Sequence, residues 1–149
     1  GNPNAHYLYG YALGRYSQGT SVAKALAQGY GDKIKTAFET AIALQPRHAD
    51  AHLALGTFHA EVIDKVGPLI GNMTYGAKRE TALQHFRTGL ALIPRAALAL
   101  TEYARGLMML DADAYDAEAL CLYEQAAAIT PLDAMEHLGV LQVQAELAN

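Results

Sequence analysis

Two stretches of this chain repeat one another. Tyr11-Ala12-Leu13-Gly14 is echoed by Leu53-Ala54-Leu55-Gly56. A Tyr-Gly pair follows each, Tyr30-Gly31 and Tyr75-Gly76. Each unit then closes on an apolar run ended by proline, from Phe38 to Pro46 and from Phe86 to Pro94. Internal repetition restricts the fold more than any single residue does. One short helical unit leaves an apolar face bare and needs a neighbour to cover it. The expectation is all-α: helix hairpins stacked into a short right-handed α-solenoid.

Composition agrees. The chain has 149 residues, enough for one domain with a real core. Charged residues make up 17% where about a quarter is usual, and hydrophobic residues 52%, so much of each helix is available for packing. Alanine is spread throughout, which favours helix and lets helix axes approach. The net charge of −4 speaks against a phosphate-binding surface, so no nucleic-acid partner is expected. The single cysteine, Cys121, excludes an internal disulfide and leaves cytoplasmic and periplasmic locations equally open. No run approaches the ~18 apolar residues of a membrane span, so membrane contact is not indicated. The chain opens on Gly1-Asn2, and a leader or anchor ahead of it would not be visible here.

Glycine, proline and aspartate divide the chain into helices over about 5–18, 21–28, 32–44, 49–66, 77–93, 96–110, 113–129 and 133–147. In the third, Ile34, Ala37, Phe38, Ala41 and Ile42 form a 3.6-residue stripe. Ser21 is a candidate N-cap, and Asp113 with Asp116, and Asp133 with Glu136, have the spacing of capping boxes. The units are then 5–46, 49–94 and 96–131, and the last helix, 133–147, covers the exposed end of the stack.

Counted back from Pro94, the residues Ala82, Phe86 and Gly89, with Gly56 on the preceding helix, resemble the tetratricopeptide repeat. Ala119, Tyr123 and Ala126 before Pro131, with Ala104, match in the same way, as do Phe38 and Ala41 before Pro46. Small residues stand where two helices cross closely and an aromatic fills the gap beside them. The spacing departs from the motif. Pro46 and Pro94 are 48 residues apart and Pro94 and Pro131 are 37 apart, against a period of about 34. The extra length falls in an apolar connector after Glu61-Val62-Ile63-Asp64-Lys65-Val66. With that connector the chain is similar to the bacterial relatives of the regulator of microtubule dynamics family.

The resemblance implies a non-catalytic scaffold without a cofactor, binding a protein or peptide partner. It places the first helix of each pair along a concave groove. Tyr11 and Arg15 fall there from the first unit; Asp50, Leu53, Thr57, Ala60, Glu61 and Asp64 from the second; Leu98, Thr101, Glu102, Arg105, Met108 and Met109 from the third. Such a mixed lining suits a peptide or helix. The plainer reading leaves charges such as Glu61, Glu102 and Arg105 as solvated surface groups. The lysines and asparagines that clamp a peptide's terminal carboxylate in some tetratricopeptide domains are not reproduced.

His52 and His59 lie two helical turns apart, too far to share a metal, and fit core positions better than ligand positions. His48, His85 and His137 have no ligand-spaced partner, so no metal is expected. Cys121, among Leu120, Leu122 and Tyr123, reads as a buried, inert thiol. The connector Val66–Gly76 is long and apolar. Leu69, Ile70, Met73 and Tyr75 either pack over the stack or form a binding edge with the matching segment 19–31. The alternative to a protein scaffold is therefore a carrier of a lipid or small apolar ligand beneath connectors 19–31 and 66–76.

Overall fold

The computed structural model describes residues 1–18, 24, 28–129, 143, 146 and 147. These residues form six helices and no strand: α1 (Pro3–Gln18), α2 (Tyr30–Leu44), α3 (Ala49–Val66), α4 (Pro68–Tyr75), α5 (Arg79–Leu92) and α6 (Ala97–Ala127). The candidate cap Ser21, most of the 21–28 helix, the Asp133–Glu136 box and most of the final helix lie outside the described residues. Residues 143, 146 and 147 are helical, and Val143 is fully buried.

The chain folds through helix pairs. Tyr7 of α1 meets Phe38 of α2 at 6.0 Å between ring centroids, and Tyr16 meets Tyr30 at 5.9 Å, so α1 and α2 run antiparallel. The stripe expected on α2 is the buried one: Ile34, Ala37, Phe38 and Ala41 face the core, with Ile42 half-buried. Along α3 and α5, His52 meets His85 while His59 meets the backbone of Lys78, again antiparallel. α3 is the central element, packed on α5, α6, α2 and α4.

Phe86 is the keystone of that packing. Its ring is fully buried and stacks on Tyr103 at 5.5 Å with planes 9° apart. It fits only because α3 and α6 present glycines. A Cβ at Gly56 would lie 3.0 Å from the ring, and one at Gly106 would overlap its Cε2 and Cζ. The equivalent position in the first unit is not Gly14, the partner of Gly56 in the sequence echo. A Cβ on Gly14 meets nothing within 4 Å, whereas one on Gly10 would lie 2.8 Å from Phe38. The glycine of α1 that meets a ring therefore lies one helical turn before the one that the sequence echo pairs with Gly56.

Two boundaries differ from the sequence reading. The 66–76 connector is not a loop. Gly67, at φ +86°, ends α3 in a conformation only glycine adopts freely, and Pro68 then starts α4 at a position that needs no N–H. The helices expected at 96–110 and 113–129 are two limbs of α6, divided only at Asp111, whose backbone is extended (φ −167°, ψ 92°). Asp111 caps the second limb, its Oδ1 accepting the Ala114 N–H at 3.1 Å. The capping box assigned to Asp113 and Asp116 is not formed there. Asp116 instead accepts from the neighbouring Ala117 N–H at 2.7 Å.

Candidate functional site

α1, α3 and the first limb of α6 enclose a cleft of about 590 Å³, within the usual range of binding sites. Its apolar lining comes from Tyr7, Phe38, Leu53, Phe58, Leu98 and Met109, among others. Most of the residues expected along a groove meet in it: Tyr11 and Arg15 from α1, Asp50, Leu53, Thr57 and Glu61 from α3, and Leu98, Glu102, Arg105, Met108 and Met109 from α6. Helical spacing brings Asp50, Leu53, Thr57 and Glu61 to one side of α3. Tyr123 joins them from the second limb, and Tyr7, Gly10 and Gly14 complete the α1 wall. Tyr7 was not among the expected residues, since nothing local said which side of α1 faces the cleft.

Three expected residues are elsewhere. Asp64 is one helical turn too far along α3, exposed beside Lys65 at 3.6 Å. Thr101 points away from the cleft; it is buried, and its hydroxyl donates to the Ala97 carbonyl at 2.8 Å. Ala60 is fully buried in the core.

The charges of the cleft are not equivalent. Arg105 lies between Glu102, at 3.6 Å, and Glu146, with which it forms a close ion pair. Burial works against its charge, but the two carboxylates outweigh that and raise its pKa. Glu102 also accepts from the Thr57 hydroxyl at 3.1 Å. Glu61 has neither a hydrogen bond nor an ion pair among the described residues. Burial, and then the like charge of Glu102, raise its pKa. Tyr7 is pushed up to about 12 by burial, then by Asp50, Tyr11 and Glu102, and so remains a neutral phenol.

The histidines form a separate seam between α3 and α5. His52 is buried and its Nε2 lies 2.8 Å from the Pro46 carbonyl, which can only accept. Its Nδ1 is then the acceptor for the Nδ1–H of His85, 2.9 Å away. Sequence spacing missed this pair because it is made across helices. His59, 2% exposed, accepts the Lys78 N–H at Nδ1, which leaves its Nε2 proton buried without a partner among the described residues. Burial above all holds both His59 and His85 down to about 4. His48 caps α3 through Nδ1, from Ala51 N–H at 3.1 Å, and reaches Asn4 through Nε2 at 2.8 Å. Among the described residues no group of three or more His, Cys, Asp or Glu side chains is placed to hold a metal ion. His137 lies outside the described residues.

Two further expectations change. Cys121 is exposed rather than buried, and Gln125 donates to its sulfur at 3.3 Å. On α4, only Gly71 is buried, and Tyr75 is half-buried. Leu69, Ile70 and Met73 are 71%, 54% and 77% exposed, so the segment does not pack them over the stack. The segment 19–31 that would adjoin it is largely outside the described residues. No described helix is long and apolar enough to cross a membrane. No family model matches the chain, and no curated protein is significantly similar to it.

Proposed function

We propose that the chain is a non-catalytic binding module that holds a peptide or helical segment of a partner protein in the cleft between α1, α3 and α6. The reading treats the helix pairs as a short solenoid of tetratricopeptide-like units. The antiparallel pairs α1/α2 and α3/α5, and the two limbs of α6, support the units 5–46, 49–94 and 96–131.

One observation carries the functional part. A cleft of this size combines apolar walls with polar groups from three helices, the combination that recognises a segment with alternating apolar and charged side chains. The exposed lining residues Tyr11 and Leu98 stand at its edge. Peptides selected by display on the intact protein test it. Tyr11→Ala and Leu98→Asp should weaken the selected peptides up to about tenfold, as loss of a contacting side chain does, and leave the melting temperature nearly unchanged because both side chains are exposed. Peptides that bind both variants as well as the parent would show that the cleft is not the site.

A second reading keeps a lipid or small apolar ligand against α4, favoured by the exposure of Leu69, Ile70 and Met73. These side chains contribute nothing to the cleft. Native mass spectrometry of the purified protein would reveal such a ligand, and a ligand-free spectrum would remove this reading.

A further inference from the structure

Three charges that line the cleft, Arg15, Asp50 and Glu61, have no ion pair among the described residues. Arg15 and Asp50 are exposed, so water already solvates them. Glu61 differs. It is part-buried, lies in the same lining as Phe58, Leu53 and Tyr7, and has lost water without gaining a donor among the described residues. Arg105 does not serve it, since that guanidinium is held by Glu102 and Glu146. Lys65, on the next turn, is paired with Asp64 and attracts Glu61 without forming an ion pair with it. A carboxylate placed this way is unfavourable in the empty protein and becomes favourable once a cation enters.

Resting on the peptide-binding reading above, we infer that Glu61 is the anchor for a cationic side chain of the bound segment, an arginine or lysine flanked by apolar residues. Two observations select a cation over a neutral donor. Glu102 adds a second negative charge beside Glu61. Three carboxylates line the cleft against two guanidinium groups, one of them already paired. The apolar walls suit the long aliphatic stem that carries such a charge. The same arrangement rejects an acidic segment by repulsion.

The test uses the full chain and pools of heptapeptides with a fixed central residue, Ac-Xxx-Xxx-Xxx-Arg-Xxx-Xxx-Xxx-NH2, where Xxx is Leu, Phe, Ala or Gln. Matched pools carry citrulline, which has the shape of arginine without its charge, or glutamate. The parent should retain the arginine pool about tenfold over the citrulline pool, the scale of one charge-assisted hydrogen bond. Glu61→Gln should bring that ratio to about one. Glu39→Gln, on the far side of α2 and paired with Lys35, should leave it unchanged. Equal retention of the arginine and citrulline pools by the parent overturns the inference while leaving peptide binding intact. So does a preference for arginine that survives Glu61→Gln.

If no pool is retained, peptide binding fails, and phenethylguanidinium against phenethylurea decides the Glu61 site alone by saturation-transfer NMR. Binding of the cation only, lost in Glu61→Gln, upholds the site. Binding of neither compound, or of both equally, overturns it.

Discussion

At the scale of single residues, the tightest constraint is the enclosure of Phe86 between Gly56 and Gly106. The ring cannot step aside, because Tyr103 stacks on one of its faces and it has no exposed surface. Gly106→Ala should therefore destabilise the fold by about 1–3 kcal/mol through overpacking, although alanine is by itself the better helix former by about 1 kcal/mol. Adding Phe86→Leu should recover part of the loss by making room. Urea unfolding of the two variants measures both effects, and a stable single variant would mean that the crossing relaxes. The sequence made Gly56 and Phe86 legible as small and large partners. It did not make Gly106 legible, since Ala104 stood at the expected small position. It also misassigned Gly14, because a repeat in letters does not state which turn of the helix meets the neighbour.

At the scale of elements, the α3–α5 seam sets the acid response. His59 and His85 are lowered from 6.5 to about 4 in the fold. The unfolded chain takes up their protons below pH 6.5 and the folded chain does not until about pH 4. Stability is therefore complete above pH 6.5 and falls as pH drops towards 4. The raised Glu61 acts in the opposite sense, as the folded form protonates first, but it is one group against two. Melting temperatures measured from pH 7.5 to 4 should fall across this window, and His85→Gln should flatten the slope.

The second element-scale prediction concerns α6. Asp111→Ala removes the cap of its second limb and should cost about 0.5–2 kcal/mol, whereas Asp113→Ala should cost little. Chemical denaturation distinguishes them. The interruption of α6 was legible from its cluster of aspartates. The capping residue was not, because three aspartates within six positions compete and only the path of the backbone selects one.

At the scale of the whole molecule, three helices distant in sequence assemble a cleft in which Arg105 and Glu102 are paired, while Glu61 and the exposed Arg15 and Asp50 form no ion pair among the described residues. Residues from the end of the chain take part, through buried Val143 and the pair between Glu146 and Arg105. That pair decides the character of the cleft. It removes Arg105 from the partners available to Glu61, which is the ground for proposing a cationic rather than an anionic ligand. No spacing rule connects Arg105 with Glu146, 41 residues later.

The sequence by itself determined the helices and most of the buried stripes, because helical periodicity and helix-ending residues are local properties of the chain. It also placed most of the lining of the cleft on the correct helices. Only the tertiary structure decided which turn of each helix touches its neighbour, which part-buried carboxylate is left without an ion pair among the described residues, and that the apolar connector is a helix with Leu69, Ile70 and Met73 in solvent. These depend on distances between segments that the chain brings together only on folding, where a shift of one turn exchanges a packed face for an open one.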